Sequence, residues 1–365
     1  QAEDGIRDVE RSRGLGDVYK RQIIYWGLLH LHQYNSNEEP LVSVVISARN
    51  EEAVINNLMN SLTKIKYPEE KYEVILIDDD SSDNTYSIMN NYAKKLSNWK
   101  VLKHKKNEAS LKGKKGALTL GIQNSKGDII LTTDADCIVP PNWVKSMVSC
   151  FKEDVGMVLG HSPVEKGKGF FNLLQRFDSL CEASAAAAST YFNKPCHSNG
   201  RNLAFRKRAF TEVGGYSNIS QVGTGDDFFL SQLIRTSTKW RFVYNIDPNS
   251  FVFTNSVPIG KEFLNQQLRR NSKAFYLTLP FFLIASLMFL FHLFLVILLF
   301  FPSTIRIFFI LVLIKFLIEF LPVGLGAKIF KHKNILKYYP LMWFIYPIFI
   351  IVFSLLGSLQ LYKWK

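Results

Sequence analysis

Asp134 and Asp136, in the stretch DIILTTDADCIVPPNW (128–143), are the residues whose type and spacing most directly suggest chemistry. The residues before them suit a buried strand, and in an extended chain positions i and i+2 share one face. The two carboxylates are therefore expected to project together from the end of a strand. Like charges held that close repel unless a cation or a proton lies between them. Asp78, Asp79 and Asp80 follow a second apolar run, VILI (74–77), and Arg49, Lys112, Lys114 and Lys115 fall on neighbouring loops. Oxygen-rich carboxylate sites suit Mg2+ or Mn2+, which commonly bridge to substrate phosphates. Ordinary strand-end turns and helix caps use the same acidic residue types. Neither G-x-x-x-x-G-K-[ST] nor G-x-G-x-x-G occurs, which argues against a P-loop enzyme and a Rossmann dehydrogenase.

The elements that must position these groups read as a βα alternation. LVSVVISA (41–48) is a short run rich in β-branched residues. RNEEAVINNLMNSLTKI follows it with apolar residues at helical spacing: Val54, Ile55, Leu58, Met59 and Leu62. YEVILIDDDSSDNT (72–85) repeats the pattern, with Asp83 or Asn84 as a cap for the next helix. WKVLKH is a third strand, KKGALTLGIQNS opens a helix, and DIILTTDAD is a fourth strand. Such alternation indicates an α/β fold whose sheet is wound with right-handed crossovers. Ligands of these sheets bind outside the carboxyl ends of the strands, where the aspartates lie.

The net charge of +13 belongs to residues 23–365, because the first 22 residues carry five acidic and five basic groups. That first segment, QAEDGIRDVERSRGLGDVYKRQ, resembles a translated sequencing adapter and is expected to be non-native. Residues 23–33 read as the end of an N-terminal transmembrane helix. Residues 276–301, 305–326 and 338–362 are expected to span a bilayer, which takes ~20 apolar residues. Lys315 and Glu319 stand at i,i+4 within the second span, a spacing that suits a functional pair and self-neutralisation for insertion equally. Arg269, Arg270 and Lys273 precede the first of these spans, and Lys328, Lys331, Lys333 and Lys337 separate the last two. By the positive-inside rule both groups are cytoplasmic, and so is the globular half. The basic excess thus belongs to the membrane and not to nucleic acid, since the aromatics lie in the spans. The four cysteines show no metal-binding spacing and read as reduced cytosolic thiols.

VSVVISARNEE, VILIDDDSSDNT, TTDAD, TGDDFFL and QQLRR occur in the order and spacing that resemble membrane-anchored, inverting family 2 glycosyltransferases. The resemblance covers roughly residues 41–275, and the C-terminal spans resemble the cellulose, chitin and poly-N-acetylglucosamine synthase branch. It implies a GT-A-type domain over 40–257, an interfacial amphipathic helix over 258–273, and then the transmembrane helices. It further implies that Ala48, Arg49, Asn50 and Glu51 line a nucleotide pocket. Asp79 would accept from the base, usually uracil, and Asp80 stands where the family has glycine. Lys114 or Lys115 would neutralise diphosphate. Asp134 would hold the ribose or the metal, and Asp136 the metal that bridges both phosphates.

The same resemblance makes Asp227 the catalytic base, with Asp226 where Glu is commoner. Either acid would also suit the first turn of a helix for its dipole alone. Gln266, Gln267 and Arg269 match Q-Q-x-R-W, expected near acceptor sugar and pyrophosphate. Arg270 replaces the tryptophan that stacks the acceptor in polymer synthases. Asn202 and Arg206 fall in the acceptor-side segment SNGRNLAFRKRAF (198–210).

The expected activity is transfer of a sugar from a nucleotide-diphospho-sugar, UDP-linked, to a glycan acceptor in polysaccharide synthesis. Mg2+ or Mn2+ is the expected cofactor, and accessory subunits of a synthesis complex are potential partners. The alternatives are single transfer to a lipid acceptor and a non-catalytic sugar-nucleotide-binding subunit.

Overall fold

The computed structural model describes residues 24–34, 36–105, 111–219, 225–258, 260–271 and 300–358, with isolated positions between 290 and 298. Residues 1–22 and most of the expected span 276–301 lie outside the described residues. The chain divides into two compact units. One comprises residues 30–165 and 185–255, and the other comprises residues 1–29, 166–184 and 256–365.

The first unit is built on a seven-stranded sheet. In chain order its elements begin with β1 (Val42–Ala48), α1 (Ile55–Leu62), β2 (Tyr72–Asp78), α2 (Thr85–Ala93), β3 (Trp99–Lys103), α3 (Gly113–Gln123) and β4 (Ile129–Thr132). Then come β5 (Cys137–Ile138), α4 (Trp143–Val148), β6 (Val155–Gly160), α5 (Phe170–Tyr191), β7 (Leu203–Arg206) and α6 (Lys207–Glu212). The series closes with α7 (Asp226–Ser237), β8 (Arg241–Asn245) and β9 (Phe253–Thr254). Strand order is β3-β2-β1-β4-β7-β6-β8, and β5 pairs with β9 apart from the main sheet. β3, β2, β1 and β4 run parallel, β7 is antiparallel to both its neighbours, and β8 is parallel to β6. Helices cover both faces of the central strands, so β1 and β4 read as continuous apolar runs and not as alternating ones.

The position of α3 matters most, because it carries the lysines. It lies close on β1 and β2 because Gly121 has no side chain. A Cβ there would meet Val45 Cγ1 at 2.5 Å and Ile77 Cδ1 at 2.6 Å. The beginning of α3 is thereby held near the carboxyl ends of those strands.

The second unit contains the first part of α5, then α8 (Lys261–Asn271), α9 (Ile305–Ile329) and α10 (Tyr339–Ser358). Gln175 of α5 pairs with Val257 through both its amide groups, at 2.9 Å each. Arg270 reaches from α8 to Asp178 and Glu182 of α5, both at 2.6 Å, and Tyr346 of α10 donates to Asp178 at 2.7 Å. The residue that replaces the expected tryptophan is thus an ion-paired tie between helices. Small residues let elements approach here as well, since a Cβ on Gly326 of α9 would collide with Ser184 Oγ. Among the described residues, one helical stretch (302–329) is long and apolar enough to cross a membrane. Lys315 and Glu319 pair within it at 2.9 Å, and Lys315 also lies over the Trp343 ring.

Asp80 shows how the first unit absorbs a departure from the family pattern. Its φ is +61°, the left-handed conformation that glycine adopts freely and aspartate tolerates better than most. The tight turn is therefore kept without the glycine. Asp80→Gly should change stability by no more than about 1 kcal/mol, whereas Asp80→Val should lose about 1–2 kcal/mol. Thermal melting of the two variants against the parent decides this.

Candidate active site

The turns after β1 and β2 are tied to each other. Ala48 pairs with Asp78 in the register, and Asp79 N donates to Ala48 O at 2.9 Å. Asn50, at φ +54°, accepts from Ser82 N at 2.8 Å and donates from its own N to Ser81 Oγ at 3.1 Å. Glu51 N donates to Thr85 Oγ1 at 2.8 Å. The segment 48–51 therefore forms one wall with residues 81–85; Ala48 is buried, while Arg49 and Asn50 are exposed.

Asp79 is buried, and its Oδ1 lies 2.7 Å from Nδ1 of His104, just beyond β3. With the proton on Nδ1, His104 donates to the carboxylate and fixes its plane. A neighbouring N–H group would then find Asp79 Oδ2 as its acceptor. Sequence reasoning passed over His104, although its place directly after the third strand was the available signal.

Asp134 and Asp136 do come together, but not by strand alternation. β4 ends at Thr132, and Asp134 to Cys137 form a turn closed by Cys137 N donating to Asp134 O at 3.2 Å. The turn brings the two carboxylates into mutual repulsion. Asp136 reaches solvent, yet the protein packed around it and the charge of Asp134 push its carboxyl above the usual range, against the pull of Arg201. Burial, then Asp136 and Asp134, raise the adjacent Cys137 thiol well above its ordinary value, which removes it as a nucleophile.

Lys114, in the first turn of α3, joins this pair to the start of α7. Its Nζ lies 2.6 Å from Asp134 Oδ1 and 3.6 Å from Asp226 Oδ2. Burial alone would lower its pKa, but Asp134, Asp226 and Asp227 outweigh that and hold it well above the usual lysine range. Burial raises the Asp226 carboxyl; Asp227 and Asp134 add to this, and Lys114 opposes it. Asp227 Oδ2 accepts from Gly200 N at 2.7 Å, and its Oδ1 from Phe228 N at 2.8 Å. Gly225, at φ +82°, turns the chain so that both acids occupy the first turn of α7, where the helix dipole favours them. Gly200 and Arg201 were not singled out by sequence, though Asn199-Gly200 is a turn signal.

Asp134 and Asp136, whose mutual repulsion Lys114 and Arg201 offset only in part, suit a divalent cation. Among the described residues no three His, Cys, Asp or Glu side chains converge on one point. Two carboxylates suffice for Mg2+ or Mn2+ when phosphate and water supply the rest.

Several expected site residues are placed differently. Lys115 turns away from Asp134: it is buried and donates to Ile219 O at 2.7 Å, because its neighbour on the helix already faces the crevice. Asn202 is fully buried and makes structural contacts. Its Nδ2 donates to His161 O and Ser250 O at 2.9 and 2.7 Å, and its Oδ1 accepts from Trp143 Nε1 at 3.0 Å. Arg206 donates to the carbonyls of Val155 and Lys152. Gln266 and Gln267 are not among these: they lie on α8, within the expected stretch 258–273, with Gln267 buried, and the Arg269 side chain lies outside what the structure describes.

Comparison with known proteins gives the family. The profile of glycosyl transferase family 2 matches residues 43–214, and that of glycosyl transferase family group 2 matches residues 129–364, well over half of the chain. The chain belongs to glycosyl transferase family group 2. The chain is 34% identical over 215 residues to a beta-monoglucosyldiacylglycerol synthase of Trichormus variabilis, covering 58% of this chain and 44% of that one. It is 24% identical over 216 residues to a poly-beta-1,6-N-acetyl-D-glucosamine synthase of Staphylococcus epidermidis, covering 52% and 49%. The chain thus spans about half the length of these curated relatives. Among solved structures, the mannosyltransferase PcManGT from Pyrobaculum calidifontis, in complex with GDP-Man and Mn2+, superposes with a TM-score of 0.52. Identity is 20%, over 70% of this chain and 69% of that one, a likeness of fold. The mixed, mainly parallel sheet flanked by helices is of the GT-A type.

Asn202 separates a structural from an acceptor-binding role. Asn202→Ala strands three buried partners and should lower stability by roughly 3 kcal/mol, read as a fall in melting temperature. An unchanged melting temperature with a raised acceptor KM would return Asn202 to the acceptor site.

Proposed function

We propose that this glycosyltransferase is membrane-bound and transfers a sugar, with inversion, from a nucleotide-diphospho-sugar to an acceptor hydroxyl. We further propose that the donor is UDP-linked and that Mg2+ or Mn2+ is held by Asp134 and Asp136. The observation that carries the reading is the meeting of Lys114, Asp134 and Asp226 beside Asp227, at the carboxyl edge of β4. Asp227, oriented by Gly200 N, takes the proton from the acceptor hydroxyl as general base. Lys114 and the N-terminus of α3 neutralise the donor diphosphate. The divalent cation, when bound, stabilises the charge on the departing diphosphate. Segment 48–51 and Asp79 hold the nucleoside, the latter as an acceptor fixed by His104.

The apolar stretch 302–329 and the lysines at 328, 331, 333 and 337 support a membrane-embedded protein with the catalytic unit on the cytoplasmic side. For the acceptor, a growing glycan in polysaccharide synthesis is one reading, with accessory subunits as partners. Arg270 favours the other reading, a single transfer to a lipid acceptor. Its guanidinium is committed to Asp178 and Glu182 and offers no ring for stacking a sugar chain. The name of the Trichormus variabilis relative, a beta-monoglucosyldiacylglycerol synthase, agrees with it.

Nucleotide release from membranes carrying the chain, offered UDP- and GDP-sugars with and without Mg2+ or Mn2+, tests this. Release from one donor should require the cation, and Asp227→Asn should lower it by about 10²–10⁴-fold. Undiminished release by Asp227→Asn would remove Asp227 as the base. Donor binding without turnover would favour the non-catalytic reading.

A further inference from the structure

One ammonium holds together carboxylates that otherwise repel. Lys114 Nζ, 2.6 Å from Asp134 Oδ1 and 3.6 Å from Asp226 Oδ2, also lies beside Asp227. A Cβ built on Gly200 would be 3.5 Å from that nitrogen and 3.8 Å from Asp227 Oδ2. Carboxylates in the crevice outnumber the cations whose charge reaches them, which are Lys114, Lys115 and Arg201 among the described residues. Lys115 is spent on a carbonyl, and Arg201 Nε is engaged by Asn199. Among the described residues Lys114 bridges Asp134 to Asp226 of α7, while the charge of Lys115 also reaches Asp226.

That contact occupies a carboxylate proposed to hold the metal. Asp134 Oδ1 accepts from Lys114 at 2.6 Å, and a divalent cation held by the same carboxylate would repel an ammonium at that distance. Lys114 is able to leave. Its side chain is 37% exposed and ends a flexible four-carbon stem, and its ammonium is a point charge that suits phosphate oxygens equally well.

We infer that Lys114 is the resident counter-ion of the crevice and competes with the divalent cation for Asp134, yielding it when the donor diphosphate arrives to take the ammonium. The inference rests on the proposed metal-holding role of Asp134 and Asp136. It makes bare metal a weak ligand and makes metal and nucleotide diphosphate bind cooperatively, each strengthening the other by one factor. The free enzyme thereby keeps its acids paired without a metal.

The test is Mn2+ binding to the full chain in detergent micelles, followed through the spin-resonance signal of free Mn2+, alone and with UDP or GDP. Lys114→Gln should bind Mn2+ alone about tenfold more tightly than the parent, the worth of one charge-assisted contact. Its further gain on adding nucleotide should shrink by a similar factor. Lys114→Met, a second neutral variant, should behave alike, and Lys114→Arg, which keeps the charge, should stay with the parent. Neutral variants that bind bare Mn2+ no more tightly than the parent would overturn the competition, as would an arginine variant that tightens with them. If parent and variants all bind nucleotide but no Mn2+, the proposed metal site itself falls, and the inference with it.

Discussion

Four carboxylates, Asp134, Asp136, Asp226 and Asp227, are gathered at one edge of a sheet, and their mutual repulsion is the constraint around which this unit is arranged. Three separate devices deliver them. The turn after β4 brings the first two together, the left-handed Gly225 starts α7 on the second two, and the close seat of Gly121 against β1 and β2 brings the first turn of α3 between them. Each device is local and inexpensive to form, but none is favourable at that edge without positive charge. Lys114 and the backbone donor of Gly200 supply it. The proposed divalent cation would answer the same imbalance, so stability of the site and affinity for that cation would share one cause.

Much of this was legible in the sequence because the physics was periodic. Short β-branched runs ending in acids could only be buried strands whose carboxyl ends meet at a crevice, and the order of the motifs supplied the family. Side-chain direction was less legible. Asp134 and Asp136 share a site because a turn closes between them, a feature that counting by twos does not detect. Lys114 and Lys115 are indistinguishable on paper, yet a helix points adjacent residues roughly 100° apart, so one faces the acids and the other a carbonyl. Asn202 looked like a polar group available to substrate, but three partners distant in sequence consume it. Asp80 kept the glycine conformation without the glycine, since aspartate bears a left-handed φ at modest cost.

The second unit shows a different logic, in which charge replaces ring stacking. Arg270 joins α8 to α5 through two carboxylates, and Tyr346 closes the group from α10. A tryptophan at that position would offer one N–H and no charge to Asp178 and Glu182 together, so the substitution and its acidic partners form one set. Lys315 and Glu319 solve a related problem within a single helix, where each covers the other's charge along an apolar surface.

The reversed strand β7 has a consequence for how the chain is made. It lies between β4 and β6, hydrogen-bonded to both, yet follows them in sequence. As synthesis proceeds from the N-terminus, β1 to β4 can assemble first, leaving the backbone N–H and C=O groups of the apolar strand β4 as an unpaired edge. Such an edge is a template for pairing with other chains. Until Leu203–Arg206 emerges and docks, the nascent protein carries its most aggregation-prone surface in what will become the middle of its sheet. The segment that ends this exposure is continuous with Gly200, so the strand that covers this edge also brings in the donor that orients Asp227.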